Sequence, residues 1–524
     1  MLRFQGGGTG SGRLCMRLAI CFILAAFTVA AGTNDVPARP LTLADCIQLG
    51  LKNNYDLRIE RLNPEIARYN LSGANGAYEP VFNFQAGEQL LTVPGGVDPK
   101  KTGLDSPYEV TTDSVGMGLS GVLPTGLQYG LQATSSRLHE LTDFSTLPGF
   151  IFLYPPDGIR NTNQYVSTAA ITLQQPLLRN LWIDKYRQTI QLRQKDLKIS
   201  ELAVRARVMN LIYNIQQAYY ELIYQKEQVE VQEQALNLVD QLAVTTRHQI
   251  EIGSSAAVEL PQVQAQEESV RTALVSSQQQ LEKQRHALKN LISTDYHSSP
   301  DDMLDAAEDS PAVPYTYDRH ESWRSALEHR PDLAQLRLDL EKQGIQVRFQ
   351  FNQLFPSLDL VGGYGLQSQE NSTEASLADI RDRSKPQYGF GVVLSIPLGG
   401  NQSARNTYMA GKAAREQSAL LLKKTEQNIL IQVDDSLSQV QAAYRRTESA
   451  KKAREYAELA LKGQQMKLAE GANSAFFVLQ YQEKLWESRA AEIRARVDYR
   501  LAVAQLELNE GVTLEQNHVN LLVK

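Results

Sequence analysis

The chain has 524 residues, a formal net charge of −6 and 42% hydrophobic residues. A chain of this length can bury a sizeable core, and its slight acidity gives no reason to expect a nucleic-acid partner. Charged residues make up only 21% of the chain, which argues against disorder over most of its length. Two of the three cysteines, Cys15 and Cys21, lie near the N-terminus and leave Cys46 alone. One subunit therefore has neither a disulfide framework nor a cysteine zinc site.

Residues 1–31 have the features of an export signal peptide. An apolar run, Leu18–Ala31, follows Met16 and ends in small residues suited to cleavage. The glycine-rich stretch before Met16 fits a signal poorly, so the start codon is either Met1 or Met16. Leu18-Ala19-Ile20-Cys21 faintly suggests a lipoprotein box, which leaves lipidation of the N-terminus open, although the position of Cys21 inside the apolar run argues against it. No later segment has the roughly 18 apolar residues of a spanning helix. The mature chain is therefore either a soluble secreted or periplasmic protein or an outer-membrane protein that spans lipid with strands.

A heptad pattern dominates residues 177–293. Apolar residues recur at alternating steps of three and four over 211–250, and the rhythm resumes over 260–291. A repeat of about 3.5 residues sustained over several heptads is typical of a coiled coil. Glycine readily adopts the left-handed conformation that reverses a helix, so we predict a long helical hairpin that turns at Gly253.

The same organisation occurs twice along the chain. When Asp56 is matched with Asp332, one constant offset also pairs Pro80 with Pro356, which indicates an internal repeat. A second helical hairpin is expected over 401–509, with its turn at Gly471. The predicted division of the chain is repeat 1 at 41–293, a linker at 294–320, repeat 2 at 321–511 and a tail at 512–524.

Strand-like segments with alternating apolar and polar residues follow each matched proline. Such alternation predicts strands with two different faces, and in a membrane barrel one face meets lipid and the other the lumen. A pair of predicted strands joined by a tight turn at Pro124-Thr125-Gly126 has no counterpart in repeat 2. These two strands either join the wall or fold over the mouth, and we favour the wall. The predicted strands are about 80–90, 113–123, 126–137 and 164–175 in repeat 1, and about 356–368 and 387–397 in repeat 2.

Together these features resemble the TolC-like outer membrane efflux proteins, the outer membrane factors of tripartite export systems. The resemblance implies a mainly α, two-repeat fold with a β-barrel portion. In it, long coiled-coil helices form a periplasmic α-barrel, and strands contribute to a trimeric outer-membrane β-barrel. The family usually contributes four strands per chain, so six would be a departure. The motifs that carry the resemblance are Asn54-Tyr55-Asp56-Leu57, Arg330-Pro331-Asp332-Leu333, Gln175-Pro176-Leu177, Ile396-Pro397-Leu398 and the two glycine turns.

The resemblance implies a passive exit duct in the bacterial outer membrane, with its helical part in the periplasm. Its implied partners are two further copies in a homotrimer, a periplasmic adaptor (membrane fusion) protein, an inner-membrane pump and outer-membrane lipid. It implies no cofactor and no enzyme activity. A GxGxxG match at 116–121 leads into Pro124 instead of a helix, so it does not fit a dinucleotide site. The alternatives are a duct for type I protein secretion and a structural periplasmic coiled-coil protein without a pore.

Candidate site residues lie around the two turns. In the family an Asp commonly lies six residues after each turn glycine, and in some members another lies nine residues after the second. Here those positions hold Glu259 and Phe477, and Gln480 follows nine after the second glycine. Phe477 side chains could form an apolar constriction that gates by dewetting, or could simply pack between helices. Glu259 either pairs across helices or is a solvated charge. Residues that either contact the adaptor or serve only turn geometry are Arg247, Gly253, Ser254, Ser255, Gly471 and Asn473.

Overall fold

The computed structural model describes residues 41–93, 96–97, 104–105, 108–143, 159–253, 256–293, 318–470, 472 and 474–519. Among the described residues, none of the helices combines the length and apolar character needed to cross a bilayer. The helices, in chain order, are Leu43–Asn53 (α1), Tyr55–Asn75 (α2), Lys185–Glu251 (α3), Glu259–Ile292 (α4), Arg319–His329 (α5), Pro331–Asn352 (α6), Thr373–Arg381 (α7), Gln402–Ala469 (α8), Ala475–Glu510 (α9) and Thr513–Gln516 (α10).

Local capping explains why each repeat opens with two helices instead of one. Thr42 and Asp45 form a reciprocal capping box at the start of α1. Asn54 ends α1 and caps α2, since its side-chain oxygen accepts a hydrogen bond from the Leu57 amide at 3.1 Å. In the second repeat, Pro331 is the first residue of α6, where its missing N–H costs little. The first repeat therefore opens with a pair of helices that break at Asn54.

The strands are Val81–Val93 (β1), Gly96–Val97 (β2), Leu104–Asp105 (β3), Tyr108–Val122 (β4), Gln128–Asp143 (β5), Ile159–Pro176 (β6), Ser357–Glu370 (β7) and Pro386–Ser395 (β8). Six of these strands form one antiparallel sheet in the order β1-β4-β5-β6-β7-β8. The extra hairpin turns at Gly126, whose φ is +86°, and its two strands lie between β1 and β6 within the sheet. The other two strands, β2 and β3, form a separate antiparallel ribbon.

Three features differ from the sequence-based expectation. Helix α3 begins at Lys185 instead of 177, because Asn180 has a positive φ of 69° and Asp184 supplies the N-cap. Helix α7 occupies the connection between β7 and β8, where no helix was predicted. The tail after Gly511 contains α10, and its Leu514 is buried in the same core as α1 and α3. Each difference depends on a side chain's local bonding or on packing between distant segments.

Candidate functional site: helical tip and channel wall

The first hairpin turns just after α3. The backbone N–H of Gly253 donates to the Ile250 carbonyl at 3.0 Å. The φ of Gly253 is +76°, a left-handed conformation that glycine adopts without strain. Arg247 is exposed on the last turns of α3, and Glu259 is half-buried as the first residue of α4. The positive end of the helix dipole stabilises a carboxylate at that position. Ser254 and Ser255 lie outside the described residues.

The second hairpin turns between α8 and α9. The Ala472 N–H donates to the Lys467 carbonyl at 2.9 Å, which ends α8. Ser474 has extended backbone angles and precedes the first residue of α9. Gly471 and Asn473 lie outside the described residues, so their contribution to this turn stays a prediction.

Buried apolar residues bring the two turns to one end of the helical bundle. Ala243 and Val263, which flank the first turn, share a cluster with Ala475 and Val478, which follow the second. Burial of this many aliphatic side chains holds α3, α4, α8 and α9 together at their tips. The whole tip cluster consists of Val231, Ala235, Val239, Leu242, Ala243, Val263, Val270, Leu461, Ala475, Val478, Leu485, Trp486 and Ile493.

The three predicted constriction residues do not belong to the tip cluster. Phe477 is 45% exposed and stacks edge-on against Phe476, which is 56% exposed, with 5.8 Å between ring centroids. Gln480, one turn further along α9, is exposed. A single chain therefore leaves both rings uncovered on the outside of its tip. Their role as a constriction stays a prediction, because it depends on how copies of the chain meet.

Ion pairs that the sequence did not reveal join helices above the tip, both between the two hairpins and within the second one. Arg494 on α9 donates to both oxygens of Glu221 on α3, at 3.1 and 2.9 Å. Arg489, also on α9, pairs with Glu458 on α8 at 3.1 Å. Burial alone would raise the pKa of Glu458, but hydrogen bonds from Arg489 and Arg454 outweigh it and lower that pKa. Charged residues beside the apolar heptad positions indicate that ion pairs between helices can form. Their spacing along the chain does not show which residues pair with one another.

The sheet has two faces of opposite character. Side chains directly opposite one another on paired strands point to the same face, and successive residues alternate between faces. On the apolar face one row crosses all six strands and contains Phe82, Leu119, Leu131, Ile171, Tyr364 and Tyr388. The adjacent row, on the polar face, contains Asn83, Gly118, Gln132, Ala170, Gly365 and Gln387.

The apolar face is exposed to a degree that a soluble protein avoids. In the row just described, Phe82 is 65% exposed and Tyr388 is 80% exposed. A contiguous apolar surface of this extent is typical of a membrane or protein contact. The polar face has amides, hydroxyls and glycines, which suit contact with water. A wall with these two faces separates lipid from an aqueous channel.

Comparison with known proteins identifies the architecture. The sequence profile of the outer membrane efflux proteins matches residues 126–294 and 323–511. The chain belongs to this family. It is 24% identical over 395 residues to the outer membrane protein TolC of Vibrio cholerae, covering 73% of this chain and 85% of that protein. These matches confirm the family resemblance drawn from the paired motifs and glycine turns.

Solved structures of the same architecture superpose on most of the chain. The outer-membrane channel OprN has a TM-score of 0.65 at 15% identity, covering 90% of this chain and 89% of that one. The outer membrane channel CmeC of Campylobacter jejuni has a TM-score of 0.63 at 15% identity, covering 90% and 86%. The predicted fold class, long helices joined to a strand portion, is confirmed.

The family determines the general function and location of the chain. It is an outer-membrane efflux channel protein, with strands at the outer membrane and the helical part in the periplasm. Members of the family are channels, which confirms the prediction that the chain is not an enzyme. The GxGxxG match at 116–121 lies within β4 of the channel wall, and the chain continues from β4 into β5 and not into a helix. In the described part of the chain, no group of His, Cys, Asp and Glu could hold a metal ion.

Proposed function

We propose that the chain is the passive exit duct of a tripartite efflux system. In this proposal, three copies form the duct, a periplasmic adaptor binds its tip, and an inner-membrane pump supplies the substrate. The apolar row across six strands carries the proposal, because the same chain places that row at one end and the tip cluster at the other. A structural periplasmic coiled coil would not need such a wall.

Strand number supports a homotrimer. Within the described chain, β1 and β8 each pair along one side only, and their free edges can bond to neighbouring copies. One six-stranded sheet is too small to enclose water, whereas three copies would supply eighteen strands. Barrels of about 16–18 strands leave an aqueous channel.

The tip supports docking and gating roles for the predicted residues. Arg247 and Gly253 are exposed where α3 ends, and a side chain added at Gly253 would meet no described atom within 4 Å. This part of the turn is therefore open to a partner. Phe476 and Phe477 present apolar rings on the same tip. In a trimer, copies of Phe477 facing the axis would narrow the lumen with apolar surface and obstruct water.

Fractionation and single-channel recording test the duct itself. We expect a trimer in the outer-membrane fraction, and ion conductance when the purified protein is added to a planar bilayer. A soluble monomer without conductance would instead favour a structural coiled-coil protein. Deletion of the gene should then increase sensitivity to some compounds of a toxic panel. Unchanged sensitivity, together with loss of a protein from the culture medium, would favour type I protein secretion.

Photocrosslinking tests adaptor docking at the tip. A photoreactive amino acid at Arg247 should crosslink to a periplasmic adaptor in living cells. The same probe at Lys423, which is exposed on α8 far from the tip, is the matched control and should not crosslink. Gly253→Trp should abolish both the crosslink and efflux while leaving the trimer in the outer membrane. Full efflux by the Gly253→Trp variant would contradict a docking role for this turn.

A further inference from the structure

Helix α7 lies at the outer end of the channel wall. The helices α6 and α8 adjoin β7 and β8 at their periplasmic ends, so the connection that contains α7 is at the opposite end. Ser372 caps α7, since its side-chain oxygen accepts from the Ala375 amide at 3.2 Å. The helix does not extend into solvent, because it packs on β6 and β7.

Side-chain bonds show which face of the sheet α7 covers. Ser368 of β7 donates its hydroxyl to Asp379 of α7 at 2.9 Å. Lys385 bridges that same carboxylate and Glu370, at 2.8 Å to each. Residues two apart on a strand share a face, so Ser368 and Glu370 lie on the face of Tyr364. Helix α7 therefore lies on the apolar face, the one turned away from the lumen.

A row of serines forms the seat of this helix. Ser135, Ser167 and Ser368 lie opposite one another on β5, β6 and β7. Ser167 and Ser368 are 2% and 1% exposed, and Ser376 of α7 is fully buried. The Ser135 and Ser167 hydroxyls are 3.1 Å apart and share a hydrogen bond. Small side chains allow the helix to approach the strands closely at this level of the wall.

The serine seat marks the level at which the apolar face ends. Two residues inward, the same face has Ala133, Ala169 and Leu366, and the large apolar row follows. Two residues outward, the face has Asp113, Arg137, Tyr165 and Glu370. A change from apolar to charged side chains on a lipid-facing surface is expected where hydrocarbon gives way to headgroups.

We propose that α7 is an interfacial helix that contacts the lipid headgroups of the outer leaflet. Its position is continuous with the lipid-facing surface, and its outward side combines Leu377, which is 52% exposed, with exposed Glu374 and Arg381. One apolar side chain among charged neighbours suits the headgroup boundary better than hydrocarbon or water. The helix then sets how deeply the barrel sits in the membrane. This inference rests on the outer-membrane location, and not on the cargo or the adaptor.

Depth-dependent fluorescence quenching tests the proposal in liposomes. A fluorophore is attached at Leu377→Cys in the full-length trimer after its native cysteines have been replaced. Nitroxide at the lipid headgroup should quench it about twice as strongly as nitroxide deep in the acyl chain, as for a helix at the headgroup boundary. Matched probes are Phe390→Cys, on the apolar face of β8 roughly 15 Å deeper, and Gln387→Cys on the polar face.

The control probes must show the opposite preferences. Phe390→Cys should respond mainly to acyl-chain nitroxide, and Gln387→Cys mainly to aqueous iodide. If iodide alone quenches the Leu377 probe, α7 lies above the lipid and the proposal fails. The proposal also fails if the Phe390 and Gln387 probes exchange their responses, since the apolar face would then be the lumen. The substitution Ser167→Phe should fill the serine seat and displace α7. Quenching of the Leu377 probe by headgroup nitroxide should then fall, while the protein stays trimeric and quenching of the Phe390 probe is unchanged. Unchanged headgroup quenching would show that the serine seat does not hold α7.

Discussion

Replacing Gly511 with alanine should be far more damaging than replacing Gly253, the glycine of the first helical turn. Gly511 ends α9 with a φ of +80°. Its N–H donates to the Leu508 carbonyl, and the Val512 N–H donates to the Glu507 carbonyl at 3.0 Å. This pair of bonds is the Schellman arrangement, which satisfies the last carbonyls of a helix and needs a left-handed residue.

Two separate costs contribute at Gly511. A non-glycine residue in the left-handed conformation costs about 1–2 kcal/mol. A Cβ at this position would also lie 2.9 Å from the His329 carbonyl carbon and 3.0 Å from the Arg330 nitrogen. These are backbone atoms at the junction of α5 and α6, so they cannot rotate away, and such overpacking costs about 1–3 kcal/mol. The expected total is about 2–5 kcal/mol.

Two other glycines provide matched controls. Gly253 has a φ of +76° but no described atom within 4 Å of an added Cβ, so Gly253→Ala should incur only the backbone cost. Gly463, inside α8, also has open space and no positive φ. Gly463→Ala should stabilise the helix by about 0.8–1 kcal/mol. The three variants separate backbone strain from steric conflict.

Thermal unfolding of the purified protein in detergent, followed by circular dichroism, measures this order. The midpoint should be highest for Gly463→Ala, lower than wild type for Gly253→Ala, and lowest for Gly511→Ala. If Gly511→Ala unfolds at the same temperature as Gly253→Ala, the contact with the α5–α6 junction contributes nothing. The steric part of the reasoning would then be wrong.

Three further predictions concern charge and packing. Burial, together with a neighbouring carboxylate, raises the pKa of Glu507 to about 7 from 4.5, so ionisation destabilises the fold as pH rises between those values. Glu507→Gln should therefore raise the free energy of unfolding at pH 8 by at most about 3 kcal/mol, and should not raise it at pH 4. An equal gain at both pH values would refute this. The Arg494–Glu221 pair is partly exposed, so a double-mutant cycle with glutamine should give a coupling of about 0.5–1 kcal/mol that weakens with salt; zero coupling at low salt would contradict it. Leu288 is 1% exposed, so Leu288→Ala should lower the free energy of unfolding by about 2–5 kcal/mol. Val275, on the same helix, is 62% exposed, so Val275→Ala should change it by under about 0.5 kcal/mol. Equal losses would show that the core is misassigned.

Local periodicity was sufficient to identify the element types. Heptads in 177–293 predicted long helices, because a 3.5-residue repeat is itself a property of neighbouring residues. Alternation predicted strands in the same way, and the matched prolines showed that the arrangement occurs twice. The position of the turn at Gly253 was also readable, since a glycine interrupts an otherwise continuous repeat. These signals need no knowledge of which elements touch.

Contacts between distant residues were decided only by the tertiary structure. The Arg494–Glu221 pair spans 273 positions, and periodicity does not specify partners at that distance. Helix α7 was missed because its nine residues are too few to show a period, and its place depends on the serine seat. The tip cluster likewise exists only because two hairpins from different repeats pack together. The sequence alone indicated the long helices, the six strands of the wall and the family of this channel protein. Folding decided which faces meet, because burial and ion pairing act between surfaces that are far apart along the chain.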